Sequence, residues 1–307
     1  YQKITTSKDI SHYTMLKNLE LNNESFVKIK DYCMLKGIEL LLSVFDSESL
    51  NFAIKDLKIN KLKVASGELT NAPLLLQHSQ KNCELIISTG MSNLNEIQDA
   101  LEVISFGLLN NNPDDETISR NNFKKAYESI AGKNELKKFV TLLHCVSEYP
   151  TDYADLNILA MLTLKKKFSL NVGFSDHSLG ILAPIVAASH GATIIEKHFT
   201  LDRSMEGPDH KASLTPDELK QMIQDVRSVK KIVGSEKKTP TKIEKANKDI
   251  VGKSVVALTE IKSGDKLTHS NIGVKRPGTG ISPYFYWELI GTESKSDYKK
   301  DELIRIE

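Results

Sequence analysis

The chain has 307 residues, of which 40% are apolar and 26% charged, and 41 Lys and Arg against 40 Asp and Glu leave a net charge of +1. This length suits a large domain plus a small one, and the composition is that of a globular protein with a sizeable core. A charge so near zero gives no electrostatic basis for binding nucleic acid or a membrane surface. Cys33, Cys83 and Cys145 lack CxxC spacing, and no apolar run is long enough to span a bilayer. We therefore expect a soluble, cytoplasmic protein with reduced thiols and no signal peptide.

Short apolar strands alternate with amphipathic helices along the first 233 residues. The predicted strands are Glu39–Phe45, Lys61–Ala65, Glu84–Ser88, Phe139–Cys145, Asn171–Phe174 and Thr193–His198. The predicted helices are Glu24–Lys36, Glu48–Asp56, Ala72–Ser79, Leu94–Ile104, Leu156–Lys166, Leu179–Ala188 and Pro216–Val233. The polar stretch 109–138 is predicted to be a long surface connection.

Repeated strand–helix units with continuously apolar strands predict a parallel sheet, and this many units predict an α/β fold of the (β/α)8 TIM-barrel type over residues 1–233. Six such units precede residue 233, whereas the barrel requires eight. The opening YQKITTSKD is polar and has no strand pattern. We therefore expect two βα units, on the order of 50–60 residues, to be missing at the N-terminus.

The remainder of the chain changes character. Residues 234–249 are polar and lysine-rich, which predicts a linker. Residues 250–307 contain short β segments punctuated by Gly and Pro and a helical turn at Tyr284–Ile290. They predict a compact β-rich module that is too small to be stable unless it is docked.

Two histidines follow neighbouring predicted strands. GFSDHS ends in His177 and IIEKHFT contains His198, 21 residues apart, with a predicted helix between them. In a βαβ unit, this spacing brings both imidazoles to the same mouth of the barrel, where they predict a divalent-metal site. Each histidine stands near an acid, Asp176 or Glu196, which we expect to orient its second nitrogen. Asp209 follows on a polar loop.

Other strand ends carry groups that bind phosphate. KVASGE supplies Lys63 and Ser66, and STGM supplies Ser88 next to Thr89 and Gly90. A lysine, hydroxyls and glycine amides at adjacent strand ends are the donors that a phosphate dianion requires. HCVSEYPT adds Ser147 and Tyr149, and Ser43 lies near the end of the first predicted strand.

These motifs resemble the sialic acid synthase family. KVASGE, ISTGM, LLHC with SEYPT, GFSDHS, IEKHFT, GPDHKAS and KRPGTGIS occur in the order found there, over essentially the whole chain. The resemblance implies an enzyme that condenses phosphoenolpyruvate with an N-acyl mannosamine-type sugar and releases phosphate and a nine-carbon 2-keto acid. It also implies a C-terminal antifreeze-like (SAF) module of β-clip type and a domain-swapped homodimer.

The resemblance also implies a role for each matched residue. His177 and His198 are implied as the two protein ligands of Mn²⁺ or Mg²⁺, and Glu68 as the acid that handles the attacking water. The implied substrate contacts are Lys63, Ser66, Ser88 and Ser175 to phosphoenolpyruvate, Tyr149 and Asp209 to sugar hydroxyls, and Arg276 to the N-acyl group of the partner subunit's substrate. Two positions depart from the family pattern. The family motif STPF is replaced here by LSVF, so that Ser43 stands where the family has a threonine, and Ser147 stands where the family has an asparagine.

Alternatives remain for the function. N-Acetylneuraminate is the predicted product, and legionaminate, from a 2,4-diacetamido-2,4,6-trideoxy sugar, is the alternative. A pyruvate lyase or aldolase requires a Schiff-base lysine, for which Lys63 is the candidate. A non-catalytic sugar-binding protein predicts no metal at His177 and His198.

Overall fold

Residues 12–305 are described by the computed structural model, and the polar opening predicted to lack a strand lies outside them. The chain divides into two compact units, of which the first ends at Gly234 and the second begins at Ser235. No helix in the described range is long and apolar enough to span a bilayer.

The first unit is built on a parallel sheet of six strands in sequential order. The strands are β1 Leu42–Ser43, β2 Lys61–Val64, β3 Glu84–Ser88, β4 Val140–Cys145, β5 Asn171–Asp176 and β6 Ile195–Lys197. This is an α/β half-barrel over the described residues, and the eight-stranded barrel stays a prediction. Buried strand side chains such as Leu62, Leu85, Ile87, Leu142 and Phe174 form the core under the helices.

Helices connect the strands. They are α1 His12–Leu19, α2 Asn23–Lys36, α3 Ser47–Asn51 with a π-helical turn Phe52–Asp56, α4 Ala72–Ser79, α5 Leu94–Leu109, α6 Arg120–Glu128, α7 Ile130–Phe139, α8 Ala160–Phe168, α9 Leu182–Ser189 and α10 Pro216–Val233. Capping fixes several of their ends: Asn93 and Glu96 form a capping box at α5, and Gly37 ends α2 at a φ of 67°, which a glycine adopts without strain.

The surface connection predicted at 109–138 is largely helical. Helices α6 and α7 occupy residues 120–139, and Phe123 packs edge-on against Phe106 of α5, with 5.1 Å between ring centroids. Each helix begins at a serine, Ser119 or Ser129, whose hydroxyl accepts a hydrogen bond from a backbone N–H of the first turn. The segment is therefore a helical pair that packs on the outside of the sheet.

The second unit contains helix α11, Lys242–Val251, and an antiparallel pair, β7 Ser254–Ala257 with β8 Ile272–Lys275. Helix α11 lies mostly inside the stretch that the sequence predicts to be a linker. A helix forms there because Thr241 and Glu244 make a capping box at its start. A short helix, α12 Tyr286–Leu289, follows a 3₁₀ turn at Pro283–Phe285. A small core holds the unit together: Val255, Ala257, Ile261, Leu267, Ile272, Tyr298 and Ile304.

Candidate active site

A cavity of about 310 Å³ lies at the carboxyl ends of strands β2 to β6. In a parallel α/β sheet this edge is where ligands bind, because the loops there converge. Eight of the predicted site residues line the cavity: Lys63, Ser66, Ser88, Ser147, Tyr149, Ser175, His177 and His198. The sequence motifs that end successive strands thus meet in one place.

One wall of the cavity carries a lysine and hydroxyl groups. Lys63 Nζ lies 3.0 Å from Glu196 Oε1, and Ser175 Oγ donates to the same oxygen at 2.7 Å. Ser88 is 2% exposed, and its buried hydroxyl has no hydrogen-bond partner among the described residues. A buried hydroxyl without a partner is costly, so a ligand oxygen that accepts from Ser88 would be stabilising there.

The absence of a side chain at Gly90 lets three neighbouring side chains pack closely in the cavity. Its N–H donates to Ser66 Oγ at 3.2 Å, and Ser66 Oγ lies 3.3 Å from Cys145 Sγ. A Cβ atom at Gly90 would stand 2.5 Å from Ser147 Oγ and 2.9 Å from each of the other two atoms. The STGM motif therefore needs glycine at this position because three polar side chains converge on its Cα.

The two histidines are neighbours in the same cavity. Their ring centroids are 5.5 Å apart, and the Tyr149 ring packs on both, 4.0 Å from the centroid of His177 and 5.5 Å from that of His198. His177 Nδ1 lies 2.7 Å from the Val146 carbonyl oxygen, so Nδ1 carries the proton and donates. Burial is the largest influence on His177 and lowers its pKa below the ordinary 6.5. A neutral ring with Nδ1 protonated presents the Nε2 lone pair, which is the form that binds a metal.

These residues fit the implied Mn²⁺ or Mg²⁺ as an open site. His198 Nδ1 lies 3.7 Å from Asp209 Oδ2, so an acid stands behind the second imidazole. Between residues 12 and 305, no group of three or more His, Cys, Asp or Glu side chains converges as a metal site. Two imidazoles leave most coordination positions to water and substrate oxygens, which suits a catalytic rather than a structural metal.

The acids near the histidines in sequence, Asp176 and Glu196, do not orient them, contrary to the sequence prediction. Asp176 pairs with Lys197, and Glu196 pairs with Lys63 and Ser175. The two-residue period of a strand turns Asp176 to the face opposite His177. Glu196 shares a face with His198, but its carboxylate is held by Lys63 and Ser175 instead. The Val146 carbonyl contacts His177 instead.

Four predicted site residues do not line the cavity. Ser43 is exposed on β1 in register with Lys63, and Glu68 accepts a hydrogen bond from Asn71 Nδ2 at 2.7 Å in a 3₁₀ turn. Asp209 reaches the site through His198. Arg276 belongs to the second unit, where it is exposed directly after β8.

Five cavity residues were not predicted as site residues, Ala65, Gly67, Met91, Cys145 and Glu196, and the last two carry ionisable groups. Glu196 lies two positions before His198, and Cys145 lies two positions before Ser147. The signal was available, because residues two apart on a strand share a face. The contact from the Val146 carbonyl could not be predicted from residue types, since every residue has a backbone carbonyl.

Comparison with known proteins gives the family. Residues 1–238 match the model of the NeuB family, and residues 252–307 match that of the SAF domain. The chain therefore belongs to the NeuB family and carries a SAF domain, which confirms the resemblance drawn from the motifs.

Individual relatives are similar over most of their length. The N,N'-diacetyllegionaminic acid synthase of Campylobacter jejuni is 39% identical, with 99% of this chain and 83% of the relative covered. The N,N'-diacetyllegionaminic acid synthase of Legionella pneumophila is 37% identical, with 95% of this chain and 75% of the relative covered. Among solved structures, the N-acetylneuraminic acid synthetase of Leptospira borgpetersenii, in complex with citrate, matches with a TM-score of 0.64 at 30% identity, covering 80% of this chain and 76% of that one.

Proposed function

We propose that this chain is a nonulosonic acid synthase that condenses phosphoenolpyruvate, an N-acyl sugar and water to a nine-carbon 2-keto acid and phosphate. The observation that carries the proposal is the composition of the cavity, where two neighbouring imidazoles share the space with a lysine and with a buried hydroxyl that has no partner among residues 12–305. The first set suits a metal that binds a sugar oxygen, and the second suits a phosphorylated carboxylate. Membership of the NeuB family supports the same reaction.

For the acceptor sugar, we propose the 2,4-diacetamido-2,4,6-trideoxymannose that gives N,N'-diacetyllegionaminic acid. The sequence analysis predicts N-acetylneuraminate as the product, with legionaminate as the alternative. The two relatives at 39% and 37% identity are named as legionaminic acid synthases, and this supports the alternative over the main prediction.

The residues of the cavity suggest a division of roles. Lys63, Ser88 and Ser175 bind the anionic groups of phosphoenolpyruvate. Lys63 and Ser175 contact Glu196 in the structure and replace these contacts by contacts to the ligand. His177 and His198 hold the divalent cation, which when bound supplies Lewis-acid polarisation of the sugar carbonyl. Tyr149 packs on both imidazoles and contacts the sugar.

The reaction forms one carbon–carbon bond, between C3 of phosphoenolpyruvate and the sugar aldehyde carbon, and the aldehyde oxygen takes up a proton. Water adds to C2 of phosphoenolpyruvate, the bond from C2 to the phosphate oxygen breaks so that phosphate leaves, and loss of the water protons, one of them to the aldehyde oxygen, gives the 2-keto group. The acid that handles this water is predicted to be Glu68, which does not line the cavity and accepts a hydrogen bond from Asn71 at one carboxylate oxygen. Glu196, already in the cavity, is the second carboxylate able to exchange a proton there.

The second unit is proposed to act across a homodimer. Arg276 is exposed on a turn that is held by hydrogen bonds from Ser254 Oγ to the Pro277 carbonyl and from Gly278 N–H to the Asp249 carbonyl. These bonds hold the backbone that carries Arg276, and a planar guanidinium suits recognition of an amide oxygen. We propose that this arginine binds the N-acyl group in the barrel of the other subunit.

An aldolase that forms a Schiff base on Lys63 is the competing enzyme. Lys63→Arg separates the two, because arginine can bind an anion but cannot form an imine. Retained turnover, and no trapping of pyruvate by borohydride in the wild type, supports the synthase; loss of turnover with trapping supports the aldolase.

The deciding experiment measures phosphate release from phosphoenolpyruvate with a panel of N-acyl sugars and Mn²⁺ or Mg²⁺. We expect turnover with the diacetamido sugar to exceed that with N-acetylmannosamine. His177→Ala and His198→Ala should each abolish it, and a chelator should inactivate the wild type until Mn²⁺ is restored. The proposal would be overturned if none of the sugars in the panel gave phosphate release. It would also be overturned if turnover were unaffected by the chelator and by both substitutions.

A further inference from the structure

A buried ion pair lies behind the two histidines. Lys197 Nζ is 2.5 Å from Asp176 Oδ2, and their side chains are 2% and 0% exposed. Removing two charges from water is costly, so such a pair is weak evidence for stability by itself. Its best-attested purpose is to fix one register between elements.

The pair joins the two strands that carry the histidines. Strands β5 and β6 align Ser175 with Glu196 and Asp176 with Lys197. Ser175 and Glu196 line the cavity, so the strand period places Asp176 and Lys197 on the face away from it. The next step in the same register sets the two histidines beside one another.

The same pair also holds the backbone on both sides of His177. Asp176 Oδ1 accepts a hydrogen bond from the Ser178 N–H at 2.8 Å, and Lys197 Nζ donates to the Ser178 carbonyl oxygen. His177 lies between Asp176, the last residue of β5, and Ser178, the two residues that Lys197 binds. The imidazole therefore projects from a segment that is tied at each end to the neighbouring strand.

Strand β6 needs such a constraint. It has three residues, Ile195–Lys197, and is the last strand of the described sheet. A slip of one residue in its pairing would turn His198 to the outer face and Lys197 into the cavity. An ammonium group that reaches a carboxylate at one register opposes that slip.

We propose that Asp176 and Lys197 are positioning residues that hold His177 and His198 at the separation needed to share a metal ion. The inference rests on the proposed function, since it concerns the metal. The ion pair contacts neither the cavity nor a ligand, and it acts through the backbone of the strand ends.

Mn²⁺ binding to the purified full chain, measured by isothermal titration calorimetry, tests the proposal. Lys197→Met and Asp176→Asn should each weaken Mn²⁺ affinity by about 10–100-fold, the range typical of groups that orient metal ligands. The double variant removes both charges, so it avoids an uncompensated buried charge and carries the test if a single variant fails to fold. Leu101→Ala is the control, because Leu101 is 1% exposed in α5 and does not line the cavity.

Weakened Mn²⁺ binding in the pair variants, with wild-type affinity in Leu101→Ala, supports the positioning role. Affinity equal to wild type in the folded pair variants overturns it and leaves the proposed function standing. Equal loss in Leu101→Ala also overturns it, because general destabilisation then explains the effect. A wild-type chain that binds no Mn²⁺ overturns both this inference and the metal in the proposed function.

Discussion

Replacing Gly90 by alanine tests whether the polar wall of the cavity is as closely packed as the structure shows. The new methyl carbon would lie 2.5 Å from Ser147 Oγ and 2.9 Å from Cys145 Sγ and Ser66 Oγ, whereas ordinary contacts begin at 3.4 Å. Relative to that limit the contacts are short by about 0.9 and 0.5 Å, so all three side chains must move.

We expect Gly90→Ala to lower the free energy of unfolding by about 1–3 kcal/mol, the usual cost of overpacking a close-packed site. For a unit of this size, each kcal/mol corresponds to about 2–4 °C in Tm. Displacing Ser147 by about 0.9 Å, and Ser66, an implied phosphoenolpyruvate contact, by about 0.5 Å, should cost kcat/KM up to about 10²-fold. Chemical denaturation and the phosphate-release assay measure the two effects.

Gly67→Ala is the matched control. Gly67 lines the same cavity, but a Cβ atom there meets nothing within 4 Å. Its unfolding free energy should stay within about 0.5 kcal/mol of wild type or rise, since alanine restricts the unfolded chain. Equal stability and equal KM for phosphoenolpyruvate in both variants would refute the close packing at Gly90.

Three further predictions follow from groups on different elements. Lys63→Met should raise the KM for phosphoenolpyruvate about 10–100-fold, because it removes a charge-assisted hydrogen bond and leaves Glu196 to repel the anion; adding Glu196→Gln should recover part of the loss, and no recovery would contradict this. Burial lowers the pKa of His78 below 6.5, so the unfolded state binds a proton more readily and stability decreases as the pH is lowered through 6.5. His78→Gln should make this decrease between pH 7 and 5 shallower in denaturation curves, and an unchanged slope would argue against it. Arg276→Ala should raise the KM for the acyl sugar, and mixing it with His177→Ala subunits should regenerate activity; heterodimers without activity would exclude action in trans.

Much of the fold was predictable because local signals agreed with the tertiary structure. Strand β3 and helices α4 and α10 have the predicted bounds. Helix α10 shows why: Pro216 stands in its first turn, and Thr215 and Glu218 form a capping box. The helices at 120–139 were missed because their sequence is mostly polar, and packing such as that between Phe123 and Phe106 decides their conformation.

The site was predictable where chemistry follows a strand end and unpredictable where it depends on register. His177 and His198 could be brought together from the length of one βαβ unit. The pairing of Asp176 with Lys197 could not, because it requires knowing which residues of β5 and β6 stand opposite one another. The exposed position of Ser43 likewise depends on where β1 begins and ends.

The three thiols, all within residues 12–305, occupy different surroundings, which makes one of them a natural reporter. Cys145 lines the cavity, Cys33 lies on helix α2, and Cys83 is in the core, where burial raises its pKa to about 11. Because the thiolate is the form that alkylating reagents attack, Cys83 is protected chemically as well as sterically. Protection of Cys145 from a small alkylating reagent would therefore report occupancy of the cavity in the unmodified chain, with Cys33 as the internal standard for reagent activity.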